Sequence, residues 1–372
     1  MSAELKAPLV SIVITSYNYA KYIRDALESV AAQTYRPLEC IVVDDCSTDN
    51  SAEVITRSIE ELKQKAPDIS FSLVSTETNS GQMAAFQLGI EKAKGVFINF
   101  LDADDFLLPD FISVHVQIHL ENLVAFTFSE PVEIDSEGQV HSFHSNSGET
   151  YGKLHATRSI RPVTSFEKWR GNLRDSHSAE NFITSPKYVL SKEHLKWNAW
   201  NWYPTSSALF RKNTLLYLRK ADPAPWKICA DCLLFCYANL MGNSCLVPFQ
   251  LSAYRRHGGN GHTLDALTGK YRYLPGKIRD MISEMYDKQL PLSLLQMFSF
   301  FLDTAPELPG EFMKTVLYHT GPGFLIKNRA EVFSCFRISS FRQRVLLLFK
   351  TAIRHTQIKR RLKNVQNQRP DQ

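Results

Sequence analysis

VFINFLDADDFLLPD, residues 96–110, runs from an apolar stretch into Asp102-Ala103-Asp104-Asp105 and on to a proline, and this junction decides how the rest of the chain is read. Val96–Leu101 is rich in Val, Ile and Phe, as a strand covered on both faces should be. Side chains two positions apart on extended backbone point the same way, so Asp102 and Asp104 can share one ligand. Their hard oxygens suit Mg2+ or Mn2+. A divalent ion held there could bridge a diphosphate and stabilise the negative charge it gains on leaving. The plainer reading is polar turn material ahead of a helix expected to begin near Pro109.

Working outward, Leu9–Thr15, Leu38–Val43, Phe71–Ser75 and Leu123–Phe128 are further short apolar runs bounded by turn residues. Helical stripes lie between them: Ile23, Ala26, Leu27, Val30 and Ala31 in one, Val54, Ile55, Ile59 and Leu62 in the next. Asn50 with Glu53 predicts a capping box for the second. Such alternation predicts an α/β fold with a mainly parallel central sheet flanked by helices. Ligands then bind beyond the carboxyl ends of the strands. Three of those ends carry polar clusters, Thr15-Ser16-Tyr17-Asn18, Asp44-Asp45 and Asp102–Asp105, and they should meet at one edge. Asp44 and Asp45 diverge, so one of them, Asp45, is expected to face a nucleobase or ribose, the other reading being that the pair ends the strand and starts the Ser47-Thr48-Asp49 turn; Thr15 and Tyr17 read either as contacts to the base or as loop structure.

Residues 129–200 read as loops plus a lid or acceptor segment, and residues 205–260 return to strand and helix patterns. A dense aromatic group, Trp197, Trp200, Trp202 and Tyr203, fits core packing, with one of them a sugar platform. From about Leu290 the chain looks helical. The expected organisation is a domain over 1–265, in two halves, 1–128 and 129–265, then a helical extension over 266–372.

With 44% apolar and 22% charged residues the composition is that of a globular protein. The formal charge is +5, yet residues 341–372 hold nine Lys/Arg against Asp371 alone, a surplus of eight that leaves the remainder at −3. Positive charge is thus local, which argues against nucleic acid as a partner. The basic end carries an apolar stripe, Val345, Leu348, Phe349, Ala352 and Ile353, and reads either as a helix docked on the body or as one touching an anionic membrane. The first residues read as a strand rather than a signal peptide, and no run approaches the ~18 apolar residues of a membrane span. The expected location is cytoplasmic, with peripheral contact at the inner membrane face as the sharper alternative. Seven cysteines show no disulfide framework, and Cys229, Cys232 and Cys236, on one helical face, read as core rather than zinc ligands.

The stretches VSIVITSYNYAKYIRDALESVAAQTY, ECIVVDDCSTDNS and NSGQMAAFQLGIEKAKGVFINFLDADD, with SSALFRK, ADCLLF and YRRHGGN more loosely, resemble the family 2 inverting glycosyltransferases of the GT-A fold over about residues 8–260. The resemblance implies a nucleotide-diphosphate sugar donor, a UDP-sugar first among them, with 1–128 as the nucleotide-sugar-binding half and 129–265 as the acceptor and catalytic half. It places Thr15, Tyr17 and Asp45 around the base, Asp102 near the ribose with Ala103 beside it, and Asp104 on Mn2+ or Mg2+. It implies Asp231 as the base that takes the acceptor proton, His257 as a late metal ligand with Asp102 and Asp104, and Arg255 or Arg256 against the diphosphate. Gln82 stands in where the family has an Arg-Asn pair and this chain has Phe86-Gln87-Leu88, and Ala230 replaces a frequent acidic residue before the base. The implied acceptor is a glycan or lipid-linked glycan in cell-surface polysaccharide assembly. A nucleotidyltransferase and an inactive nucleotide-sugar-binding module of the same fold are the competing readings. A phosphohydrolase fits less, because Asp105 follows Asp104 where it would want Thr or Val.

Overall fold

The computed structural model describes residues 6–142, 188–190, 204–260, 284–299, 314–337 apart from 315 and 319, and 341–367. The aromatic group at 197–203 and most of the expected lid lie outside the described residues. These residues form two compact units. The first holds the described residues up to 260 except 220–222; the second holds 220–222 and the residues from 284 onward.

The first unit is built on β1 (Val10–Ser16), β2 (Leu38–Asp44), β3 (Ile69–Ser75) and β4 (Phe97–Asp102). These four pair in parallel in the order β3-β2-β1-β4. Between them run α1 (Ile23–Ala31), α2 (Ser51–Lys65) and α3 (Gln82–Lys92). The apolar stripes explain where these helices lie: Ile23, Ala26, Leu27 and Val30 are fully buried, as is Ile55, in one cluster with Val10, Ile12 and Val42. Each such side chain contributes about 1.5–3 kcal/mol by leaving water. The capping box at Asn50 is corrected. Asn50 makes no side-chain cap, and the Ser51 N–H is instead taken by Asp49 Oδ1 at 2.9 Å.

Beyond β4 the sheet is mixed. β9 (Ala208–Arg211) joins antiparallel to β4, followed by β6 (Phe126–Ile134), β10 (Ser244–Arg255) and β5 (Phe106–Leu107). The expected α/β architecture is present, with its longest ladders parallel, including β6 with β10. The connection from β4 to β5 bends the sheet. Four residue steps from Asp102 to Phe106 span at most about 15 Å, whereas four strand spacings in a flat sheet need about 19 Å. The sheet therefore curls, and Asp102–Asp105 bridges its two arms.

Strand β6 runs to Ile134, further than its sequence suggested, and it is buried throughout despite Pro131 and two glutamates. Proline is tolerated because, on the side away from β10, β9 covers only Phe126–Phe128 and β7 (Val140–Ser142) only Glu133 and Ile134. β8 (Tyr188–Leu190) pairs with the start of β10. Among the described residues the two longest further helices of the unit are α4 (Phe111–Glu121), starting two residues after Pro109, and α5 (Ala230–Gly242).

The second unit is helical, as expected from about Leu290. It contains α6 (Leu290–Ser299), which buries Leu290, Leu294, Leu295 and Phe298, then α7 (Pro322–Lys327), α8 (Arg329–Cys335) and α9 (Phe341–Asn367). The stripe expected on α9 is rotated. Ile353 is 43% exposed, while Leu347 and Thr351 are buried. Among the described residues no helix is long and apolar enough to cross a membrane.

Candidate active site at the carboxyl ends of the strands

The sheet register brings the polar strand ends together. Thr15 lies opposite Asp102, Ser16 lies opposite Asp44, and the Asp45 N–H bonds Ser16 O at 2.8 Å. All three clusters therefore share the carboxyl edge where ligands enter sheets of this kind.

Asp102 sits half-buried at this edge, its Oδ2 accepting the Thr205 hydroxyl at 3.2 Å. Burial and the negative charges of Asp104 and Asp231 push its pKa up to about 8, against the pull of the Thr205 and Thr15 hydroxyls. Asp231, in the first turn of α5, thus acts on the Asp102 carboxylate from a separate element. Its own Oδ1 accepts the Cys232 N–H at 3.0 Å. The N-terminal end of a helix favours a carboxylate.

Asp104 is buried and held at both its main chain and its side chain. Arg255 Nε donates to its carbonyl at 2.8 Å, while His257 Nε2 lies 3.0 Å and Asn260 Nδ2 3.1 Å from its Oδ2. Asp105 is fully buried and accepts the Ser206 hydroxyl at 2.6 Å and the Arg255 N–H at 2.9 Å. Burial and the charges of Asp104 and Asp102 hold its carboxyl well above the usual carboxylate range. Ser206 Oγ also accepts the Asp102 N–H at 3.1 Å, so one serine fixes both ends of the turn.

Several of the residues expected at the site also make internal contacts. Arg255 is 3% exposed; its guanidinium reaches Asp25 at 2.7 Å and lies over the Tyr22 ring at 4.8 Å, so it supports the acidic turn rather than offering charge to a diphosphate. Arg256 pairs with Glu133 at 2.9 Å. Ala103 packs into the core and its N–H donates to Thr15 O at 3.2 Å. His257 has both ring nitrogens engaged, Nε2 with Asp104 and Nδ1 with the Gly259 N–H at 3.0 Å. Tyr17 lies exposed at the rim.

Asp45 is also occupied. It accepts the Thr76 hydroxyl at 2.9 Å and the N–H groups of Ser80 and Gly81 at 3.0 and 2.6 Å, so it orders the loop between β3 and α3 instead of standing open to a base. That loop leads on to Asp231. Gly81 has φ +89° and approaches Lys227 so closely that an added Cβ would lie 2.4 Å from the Lys227 Cα. Gln82 follows, its N–H on Lys227 O at 2.9 Å and its Oε1 accepting the Ala230 N–H at 2.8 Å, which caps the start of α5. Gln82 is thereby placed one residue from Asp231, as a brace for the helix.

Sequence reading missed Asp25, Thr205, Ser206 and Asn260 as parts of this site. Asn260 stood inside the quoted YRRHGGN and Ser206 at the head of SSALFRK, but nothing local to either shows that it reaches an aspartate 104 or more positions away. Among the described residues no three His, Cys, Asp or Glu side chains are arranged to hold a metal on their own.

Residues 11–178 match the family described as Glycosyl transferase family 2. An uncharacterized glycosyltransferase of Nostoc is 30% identical over 254 residues, which is 68% of this chain and 66% of that protein. One of Haemophilus influenzae is 36% identical over 134 residues, 36% of this chain and 51% of that protein. The chain thus spans just under two thirds of the first relative and about half of the second. The crystal structure of S. aureus TarS 1–349 in complex with UDP-GlcNAc is 13% identical, with a TM-score of 0.49 over 88% of this chain and 89% of that one. Over residues 11–178 the chain belongs to glycosyltransferase family 2.

Proposed function

We propose that the chain transfers a sugar, with inversion, from a nucleotide-diphosphate donor, a UDP-sugar first among them, to a hydroxyl of a glycan or lipid-linked acceptor in cell-surface polysaccharide assembly. The observation that supports this reading is the gathering of acidic strand ends at one carboxyl edge, where Asp102 on β4 feels the charges of Asp104 in the turn after it and of Asp231 on α5. Carboxylates held together against their own charge suit a site whose partner is a cation.

Mn2+ or Mg2+ fits these residues. Such ions are commonly held by one or two carboxylates completed by substrate phosphates, not by an all-protein cage. Asp102 and Asp104 would hold the ion, which would supply neutralising charge for the departing diphosphate. The chain's own residues do the rest. Thr15 and Thr205 fix the Asp102 carboxylate, and Ser206 fixes its backbone. Asp231 receives the acceptor proton as the acceptor oxygen bonds the anomeric carbon. The bond from that carbon to the diphosphate breaks on the opposite face, and the nucleoside diphosphate leaves with the electron pair.

The test is a panel of nucleotide sugars with and without Mn2+, read as nucleoside diphosphate release and product formation. Release from at least one donor that chelator abolishes is the expected result. Tight nucleotide binding with no turnover for any donor favours the inactive-module reading, and pyrophosphate release from a nucleoside triphosphate favours nucleotidyl transfer.

We further propose peripheral contact with anionic membrane through α9. Its 27 residues hold eight Lys/Arg and no Asp or Glu, and Lys350, Arg354, Lys359 and Arg360 are exposed together with Ile353. Each such cation adds about 1 kcal/mol near an anionic surface. Sedimentation with phosphatidylglycerol vesicles, absent with phosphatidylcholine and lost in Lys350→Glu/Arg354→Glu/Arg360→Glu, is expected. Equal sedimentation with both lipids rules out the electrostatic contact.

A further inference from the structure

We infer that His257 and Asn260 are positioning residues, a pair that seats Asp104 by donating to one of its carboxylate oxygens and leaves the other for the ligand. The inference rests on the donor-site reading above and assigns His257 a role other than metal coordination.

The argument begins at Gly259. Its N–H points at His257 Nδ1 at 3.0 Å, so that nitrogen is the acceptor. In a neutral imidazole one nitrogen accepts and the other carries the proton. Nε2 is therefore the N–H, and the oxygen 3.0 Å from it, Asp104 Oδ2, accepts. Rotating the tautomer to free Nε2 would set a proton on Nδ1 directly against the Gly259 N–H.

The seat of the ring is built, not incidental. A Cβ at position 259 would lie 2.8 Å from His257 Cε1 and 2.9 Å from Nδ1, so only glycine lets that backbone N–H come so close. The ring packs on Tyr22 at 4.7 Å and meets Tyr19 edge-on at 5.9 Å. Asn260 ties the loop to the same carboxylate: its Oδ1 accepts the His257 N–H at 2.6 Å and its Nδ2 donates to Asp104 Oδ2 at 3.1 Å. Both donors converge on Oδ2, and Oδ1 has no hydrogen bond among the described residues. Hydrogen bonds to the outer oxygen orient a ligating carboxylate, and losing such a support costs about 10–100-fold in affinity.

The experiment compares His257→Gln, His257→Ala and Asn260→Ala by calorimetric titration of UDP with and without Mn2+. Gln keeps an N–H near the place of Nε2 but is a poor metal ligand. If the pair positions Asp104, His257→Gln loses at most about threefold in the Mn2+-dependent part of UDP affinity, while the two Ala variants lose about tenfold or more. Binding without Mn2+ and the unfolding temperature should move little. Nitrogen-15 spectra of the histidine rings, with His257 assigned by its absence in His257→Gln, should show the proton on Nε2 both without ligand and with UDP and Mg2+. An Asn260→Ala variant with unchanged affinity beside a His257→Gln variant as weak as His257→Ala overturns the inference, as does a ring protonated on Nδ1. If the wild type binds no nucleoside diphosphate, the donor-site reading fails, and the ligand-free ring spectrum still decides which nitrogen faces Asp104.

Discussion

Asp231→Asn should lose about 100- to 10,000-fold in sugar transfer, the range expected when a positioned general base is removed, while donor binding stays within twofold to threefold. The substitution separates two roles that Asp231 could have. As a residue in the first turn of α5 it complements the helix end, and its Oδ1 accepts the Cys232 N–H. Asparagine has an oxygen in the same place and is tolerated near helix starts, so the local structure survives. What it lacks is a lone pair basic enough to take a proton. The Gln82 cap on Ala230 and the close approach of Gly81 to Lys227 hold the backbone around residue 231 independently of its side chain. Rates and donor affinity are measured on the same preparation, with circular dichroism as a control. Unchanged turnover would remove Asp231 from the chemistry and leave it as a helix-start residue.

How much of this was legible in the sequence depends on the range of the interaction. The parallel half of the sheet and the meeting of Thr15, Asp45 and Asp102 at one edge follow from local patterns, because β1, β2 and β4 place their ends in register once they pair. What each carboxylate faces does not follow. Asp45 reads as an open acceptor in VVDD, yet three donors from residues 76–81 fill it. Arg255 reads as a phosphate ligand, yet the curl that brings β10 to the edge of the sheet carries it beneath the Asp104 turn and onto Asp25 of α1. The same curl explains Asn260 and Ser206, whose partners lie 156 and 104 positions away along the chain. Strand periodicity fixes which face a side chain takes, but only closure of the sheet decides what it meets there.

Asp102→Asn should make the ligand-free protein more stable and the donor site worse. The carboxylate sits half-buried at a rim where Asp104 and Asp231 both repel it, and these influences together with burial raise its pKa to about 8. At pH above that value the native chain holds a charge its surroundings oppose. Removing it relieves the repulsion; solvent at the rim screens part of the effect, leaving a gain on the order of 1 kcal/mol. A change of that size moves the midpoint of thermal unfolding upward by roughly 2–4 °C in a unit this large. Asparagine also keeps an oxygen for the Thr205 hydroxyl, so that hydrogen bond to residue 102 remains satisfied. Mn2+-dependent UDP binding should nevertheless fall by about 10- to 100-fold, because a contact to a charged group is worth about 1.5–3 kcal/mol. Calorimetry and thermal unfolding at pH 8.5, without and with Mn2+, measure both quantities. The opposite pair of results, a lower midpoint with undiminished binding, would show that Asp102 is there to tie β1 to residues 205–206. Stability surrendered for binding is what a site built to receive a cation requires, since the repulsion that weakens the empty protein is the same charge that draws the ligand in.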